Sequence, residues 1–328
     1  MRDLLFVKYR ALGDSLIGLG ALAFVREREE RRIVYAIPAW IVPLYRYLET
    51  PADVVMPLAL ESVQGWIESA RQQWGKIERI HEFHQNGRSA LFCRMLAMAK
   101  GARYTFYNHH KTQYAPSVKR DLIGVGAEGG IDHLQYTPEV KVRKSAWESI
   151  SREMARDIEQ WSGAILLGVS ATRDTKMWPL EYYKDLVLAV LQRDGASKFI
   201  IPLSDSKRDL EIAERISTLG FPKGAVKILK VALEFIPLYF SKAKLFIGND
   251  SGLKHLAVAL NIKTISFFGP EAPLEWHPYD EHLHPYFYVE GLRCRTLQAH
   301  FCGKDICAHH SCLRSITVRE LLLLLEME

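Results

Sequence analysis

The chain contains no uninterrupted apolar run that approaches the ~18 residues needed to cross a bilayer, which argues against a membrane-spanning helix. Its opening, Met1-Arg2-Asp3 followed directly by Leu4–Val7, is too short for a signal peptide and reads as a first strand, so a cytosolic protein is expected. Low-complexity segments and short-period repeats are absent, which excludes a solenoid or a largely disordered chain. There is no large excess of one charge: 43 Lys and Arg stand against 38 Asp and Glu, a formal +5 with a pI near 8.8. That balance does not make a nucleic-acid binder. It suits transient contact with an anionic membrane surface or a phosphorylated substrate. No Gly-x-Gly-x-x-Gly follows the first strand, which counts against a dinucleotide cofactor.

What is present is an ordinary globular composition, 48% apolar and 25% charged, in a chain of 328 residues that is long enough for two domains. Short apolar runs alternate with amphipathic stretches in both halves. Strands are predicted at Leu4–Val7, Ile33–Ile37, Val54–Met56, within 76–83 and at Arg103–Tyr107. Helices lie between them, at Leu16–Glu27, 40–48, 61–74 and 89–100. The pattern fails from Asn108 to Val142, which reads as irregular loop. After a helix over Ser145–Gln160 it resumes, with strands at Ala164–Val169, Lys198–Pro202, Val226–Leu229, Lys244–Ile247 and Thr264–Phe268. Strands alternating with helices predict an α/β fold with parallel sheets covered on both faces. The expected division is an N-terminal domain over 1–160 and a C-terminal domain over 161–328.

Two turns stand out. Leu4–Val7 leads into Ala11-Leu12-Gly13-Asp14-Ser15 and an apolar helix, and Phe246–Asn249 leads into Asp250-Ser251-Gly252 and another. A helix N-terminus following a strand offers unpaired N–H groups and the positive end of the dipole to an anion. Two such turns in opposite halves predict two nucleotide-type domains facing each other across a cleft. Each aspartate also has a plain reading as a helix N-cap. A third segment, Ser170 to Trp178 after the Ala164–Val169 strand, carries Thr172, Arg173, Asp174 and Lys176. Its plain reading is a solvated loop in which Arg173 pairs with Asp174.

These residues together resemble the lipopolysaccharide heptosyltransferases of glycosyltransferase family 9. The resemblance rests on the Gly13-Asp14 turn, on Thr172-Arg173-Asp174 through Lys176 and Trp178-Pro179, on Asp250-Ser251-Gly252 with His255, and on Phe268-Gly269-Pro270. It covers most of the chain and is strongest in the C-terminal half. It implies a GT-B fold, two Rossmann-like domains whose active site lies between them. The implied activity is inverting transfer of heptose from ADP-heptose to the lipid A-linked inner core of lipopolysaccharide, without metal or other cofactor. The first domain would bind the acceptor and the second the donor, at the cytoplasmic face of the inner membrane.

Under that resemblance Asp14 is the base that takes the acceptor hydroxyl's proton, and Gly13 allows close substrate approach. Lys176 meets the charge that grows on the departing diphosphate. Thr172 adds a hydroxyl, with Ser170 replacing the second hydroxyl residue common in the family. Ser251, Gly252 and His255 contact the diphosphate or sugar, and Asp250 accepts from sugar hydroxyls. Val231 lines the adenine pocket, and Ser204 or Asp205 reaches the ribose. Arg88, Lys111 and Arg120, with neighbouring Arg103, His109, His110 and Lys119, form a basic rim for the anionic acceptor.

Four of the five cysteines, Cys294, Cys302, Cys307 and Cys312, interleave with His300, His309 and His310. Seven, four and four residues separate them, not the paired spacing of zinc ribbons. A similar segment in some family 9 enzymes implies a structural role, as buried thiols or a disulfide, with structural zinc as the alternative. Two other functional classes fit a pair of nucleotide-type domains: a nucleotide-sugar epimerase or dehydrogenase, and a non-catalytic sugar or nucleotide binder.

Overall fold

The structure, a computed structural model, describes residues 2–107, 115–294 and 307–326. The expected irregular-loop residues His109, His110 and Lys111, and Cys302 and His300 of the cysteine segment, lie outside the described residues. The chain divides into two compact units, Met1–Arg143 and Lys144–Glu328.

The first unit runs β1 (Asp3–Val7), α1 (Leu12–Arg26), β2 (Ile33–Pro38), β3 (Leu48–Glu49), β4 (Val54–Leu58), α2 (Val63–Arg71), β5 (Ile77–Glu82), α3 (Gly87–Lys100), β6 (Arg103–Phe106), α4 (Ser117–Gly124) and β7 (Lys141–Val142). Five strands form a parallel sheet in the order β4-β2-β1-β5-β6, while β3 and β7 pair antiparallel apart from it. β1 and β2 are buried along their whole length. They read as unbroken apolar runs because helices cover both faces of a parallel sheet. α1 is buried almost all round. One reason is Gly20, where a Cβ would stand 2.2 Å from the carbonyl oxygen of Tyr136.

The second unit runs α5 (Lys144–Ser149), α6 (Arg152–Gln160), β8 (Ile165–Gly168), α7 (Leu180–Arg193), β9 (Phe199–Pro202), α8 (Lys207–Leu219), β10 (Val226–Leu229), α9 (Ile236–Phe240), β11 (Leu245–Asn249), α10 (Gly252–Ala259), β12 (Thr264–Phe268), α11 (Pro273–Trp276), β13 (Tyr286–Tyr288), α12 (Ser311–Arg314) and α13 (Val318–Glu326). Its six-stranded parallel sheet has the order β10-β9-β8-β11-β12-β13. Trp178, Tyr183 and Phe267 lie together in its core, with Trp178 and Phe267 ring centres 4.4 Å apart.

The division falls at 143/144 where the sequence placed it at 160/161. α6 carries Asp157, which binds Lys227 of β10 and the Tyr239 hydroxyl, and these contacts tie the helix to the second sheet. The single helix expected over 145–160 is two, because the Ser151 hydroxyl accepts from Met154 N–H and starts a new helix there. The stretch read as irregular also contains α4, which packs on α1 through buried Val118 and Leu122.

Numbered within each unit, the strand order is 3-2-1-4-5, extended by a sixth strand in the second. Its direction reverses between strands one and four. Open α/β sheets place ligands outside the carboxyl ends of the strands at that reversal. The crevices are therefore between the loops after β1 and β5 in the first unit, and between those after β8 and β11 in the second.

Candidate functional site

In the first unit the reversal carries an open cavity of about 580 Å³, lined by Tyr9, Arg10, Ala11, Asp14, Asn86, Gly87 and Arg88. Asp14 stands in the first turn of α1, but the N-cap is Ala11, which makes no side-chain cap. The plain N-cap reading of Asp14 therefore does not hold. Its half-buried carboxylate has no hydrogen-bond or ion-pair partner among the described residues. Ser15 beside it is structural: its hydroxyl donates to Leu12 O and accepts from Tyr45.

The cavity wall is held by Asn86. Its oxygen caps α3 by accepting from the N–H groups of Arg88 and Ser89 at 3.1 and 3.0 Å, and its amide donates to Tyr9 O at 3.1 Å. One side chain thus fastens the loop after β5 to the loop after β1. The Tyr9 hydroxyl accepts from Leu60 N–H and donates to Glu61. Burial, then the hydrogen bond to Glu61, pushes its pKa up to about 12. Arg88 is exposed and lines the cavity. Arg120 does not belong to such a rim: it is only 6% exposed on α4, next to fully buried Asp121. Lys111 lies outside the described residues.

In the second unit the reversal is filled by charge. Asp250, at the end of β11, accepts from Lys176 at 2.6 Å through one oxygen and from Lys254 at 2.7 Å through the other. Burial alone would raise the Asp250 carboxyl. The charges of Lys176 and Lys254, with His255 behind them, outweigh burial and hold it well below the usual carboxylate range. Lys254 is completely buried, donates also to Trp276 O at 2.9 Å, and lies 4.5 Å over the Phe268 ring. Each Asp250 oxygen already holds a lysine. Asp250 thereby holds Lys176 in place.

Lys176 is placed from the other side by Asn249. That buried amide donates to Val169 O at 2.8 Å and accepts from Trp178 N–H at 2.8 Å, so it fixes both ends of the Ser170–Trp178 loop. Trp178 packs in the core and donates to Ile316 O. Strands β8 and β11 approach closely here, and a Cβ on Gly248 would stand 2.6 Å from Gly168 Cα. The expected pairing of Arg173 with Asp174 is not found: Arg173 binds Glu271, and Asp174 binds Arg208 at 3.0 Å. Burial pushes the Glu271 carboxyl up to about 6, against the pull of Lys176 and Arg173.

Ser251 is the N-cap of α10 and makes no side-chain cap; its buried hydroxyl has no partner among the described residues. That leaves it available to an anion at the helix N-terminus, with Gly252 beginning the helix. Thr172 is exposed on the same loop as Lys176. The Ser170 hydroxyl instead donates a hydrogen bond to Asp209 at 2.6 Å, the carboxylate that also accepts from Ser204 N–H and hydroxyl. His255 is a core residue, buried against the Tyr279 hydroxyl, and burial drives its pKa well below the usual histidine value. Val231 lines a separate cavity of about 910 Å³ with Lys230, Arg156 and Gln160. Asp205 is exposed, 3.9 Å from Lys230.

Asn86, Asn249, Lys254 and Glu271 were not singled out from the sequence. Lys254 had a signal: it sits four residues after Asp250, one turn on, as the single charge on an apolar helix. Among the described residues no His/Cys/Asp/Glu group is arranged to hold a metal, and no disulfide joins Cys93, Cys294, Cys307 or Cys312. No helix among them is long and apolar enough to cross a membrane.

Two Rossmann-like units that share one strand order, each with polar groups gathered at its reversal, have the architecture of the GT-B class. The sequence model of glycosyltransferase family 9 (heptosyltransferase) matches residues 89–289, and the chain belongs to that family. Lipopolysaccharide heptosyltransferase 1 of Escherichia coli K12 is 32% identical over 174 residues, 51% of this chain and 50% of that protein. The Pseudomonas aeruginosa protein of the same name is 28% identical over 124 residues, 38% of this chain and 34% of that protein. The chain thus spans about half the length of the curated relatives, or less. Among solved structures, E. coli ADP-heptose lps heptosyltransferase II superposes with a TM-score of 0.72 at 18% identity, covering 100% of this chain and 98% of that one. The family 9 glycosyl transferase from Veillonella parvula gives 0.77 at 16% identity, covering 99% and 96%. These likenesses bear on the fold.

Proposed function

We propose that this protein transfers heptose from ADP-heptose to the inner core of lipopolysaccharide with inversion at the anomeric carbon. The Asp14 carboxylate takes the proton of the acceptor hydroxyl. The acceptor oxygen attacks the anomeric carbon, and the bond to the diphosphate breaks with its electron pair leaving on ADP. Lys176 meets the charge that develops there, in a buried setting where a fixed cation acts more strongly than in water. Ser251, the α10 N-terminus and Thr172 hold the diphosphate. The Val231 cavity takes the adenine, and Arg88 guides the anionic acceptor. The positive charge comes from side chains, so no metal enters the mechanism. The enzyme works at the cytoplasmic face of the inner membrane, where its lipid-linked acceptor lies.

The observation that carries this reading is the state of Asp14: a carboxylate with no partner among the described residues, in an open cavity at the carboxyl end of β1. A carboxylate held in an ion pair is a weaker base, because the neighbouring cation stabilises its charged form. The test is incubation with a panel of nucleotide sugars and truncated lipopolysaccharide acceptors, reading ADP release and the anomeric configuration of the product. Turnover with ADP-heptose and an inverted linkage is expected. Turnover only with other donors, or retention of configuration, would refute the assignment.

A further inference from the structure

The exposed face of α3 is unlike an ordinary solvated helix surface. Leu91, Met95 and Met98 are 54%, 56% and 84% exposed, while Phe92, Cys93, Leu96 and Ala97 fill the core on the opposite side. At about 100° per residue these three share one stripe, with Arg88 on one side and Arg94 on the other. The neighbouring helix α2 packs beside it through Trp66 against Phe92 and leaves Val63 and Ile67 exposed as well. The charged residues of α3 itself, Arg88, Arg94 and Lys100, are all basic, and exposed Arg103 follows at the start of β6; the exposed carboxylates Glu61 and Glu68 belong to the α2 side. The first turn of the same helix, Gly87 and Arg88, lines the Asp14 cavity.

We propose that the Leu91/Met95/Met98 stripe of α3, flanked by Arg88 and Arg94, docks on an anionic lipid bilayer and brings the mouth of the Asp14 cavity to headgroup level. Unbranched Met and Leu side chains enter the acyl boundary at low cost, while arginines keep their heads among the lipid phosphates. Each cation near such a surface adds attraction that salt screens. A second copy of the chain fits this face less well, because pairing the stripe with itself sets arginine against arginine. A stripe of three side chains gives weak, reversible binding, which suits an enzyme that must leave each acceptor after one transfer. The link to catalysis rests on reading the Asp14 cavity as the acceptor site; the docking itself rests on α3.

The experiment is co-sedimentation of the full chain with vesicles of phosphatidylcholine alone, and of phosphatidylcholine with phosphatidylglycerol. Wild type is expected on the phosphatidylglycerol vesicles only, and to be released by salt. The triple variant Leu91→Ser/Met95→Ser/Met98→Ser loses binding by more than about tenfold, and Arg94→Gln weakens it about fivefold. Unchanged thermal unfolding verifies that both variants fold. A lipid-free core oligosaccharide as acceptor separates the two readings: the triple variant turns it over as wild type does. If wild type does not turn over that acceptor but binds the anionic vesicles, the catalytic reading fails and the docking surface stands. Equal vesicle binding by wild type and triple variant overturns the docking surface. So does a wild-type dimer in solution that the triple variant abolishes.

Discussion

The two sheets place their functional groups at the same topological position and use it in opposite ways. In both, an asparagine fastens the loop after the fourth strand to the loop after the first: Asn86 to Tyr9 O, and Asn249 to Val169 O. In the first unit the fastened loops border an open cavity with a carboxylate, Asp14, that has no partner among the described residues. In the second they clamp Asp250 between Lys176 and Lys254, deep enough that its residue is only 4% exposed. One backbone architecture thus holds either an open carboxylate or a buried lysine–carboxylate cluster, and the choice lies in a few side chains. An aspartate without a partner can accept a proton; one with two lysines cannot, and instead becomes the anchor that aims a lysine.

The contrast breaks most sharply on Asp250→Asn. Removing this charge leaves Lys254 buried without its counter-ion, which costs about 3–5 kcal/mol, read as a shift in the urea midpoint. Asp14→Asn should move that midpoint by less than about 0.5 kcal/mol. Lys176→Met sharpens the comparison from the catalytic side. It should lower kcat by about 10²–10³-fold while Lys254 still neutralises Asp250, so the fold survives.

A third difference concerns pH. Buried His255, His277 and His284 all belong to the second unit. Burial, helped by the Lys254 charge, lowers His277 to about 3; burial lowers His284 to about 4, and His255 well below its usual value. Unfolding frees each to bind a proton near pH ~6.5. Below that pH the unfolded chain holds more protons than the folded one. The stabilising contribution is therefore complete above ~6.5, declines as pH falls, and is spent only below the folded values. Between pH 7 and 5 the loss is on the order of 1–2 kcal/mol for each histidine. A urea titration at the two pH values checks it; His284→Gln should flatten the slope. The smallest effect is expected from a chelator, which should leave the rate unchanged because lysine supplies the positive charge. A rate abolished by chelation and restored by a metal would contradict that.

Much of this frame was legible in the sequence. Strands such as Leu4–Val7 and Phe199–Pro202 are buried on both faces and so appear as unbroken apolar runs. The turns carrying Asp14 and Asp250 come after two such strands, Asp3–Val7 and Leu245–Asn249. Partners were harder to read, because Lys176 and Asp250 are 74 residues apart and meet only in the folded sheet. Arg173 was matched to its sequence neighbour, yet it reaches Glu271, 98 residues on. Arg120 looked like part of a basic rim because composition does not say which residues of α4 are buried. The split between α5 and α6 turned on one cap, Ser151, inside a stretch whose periodicity continues across it.

The central claim is that Asp14 is free to act as a base. Its most direct test is ADP-heptose turnover by Asp14→Asn at saturating donor, with ADP binding measured on the same protein. The account predicts that transfer falls by about 10²–10⁴-fold while ADP binds as tightly as to wild type. Transfer at the wild-type rate would contradict it.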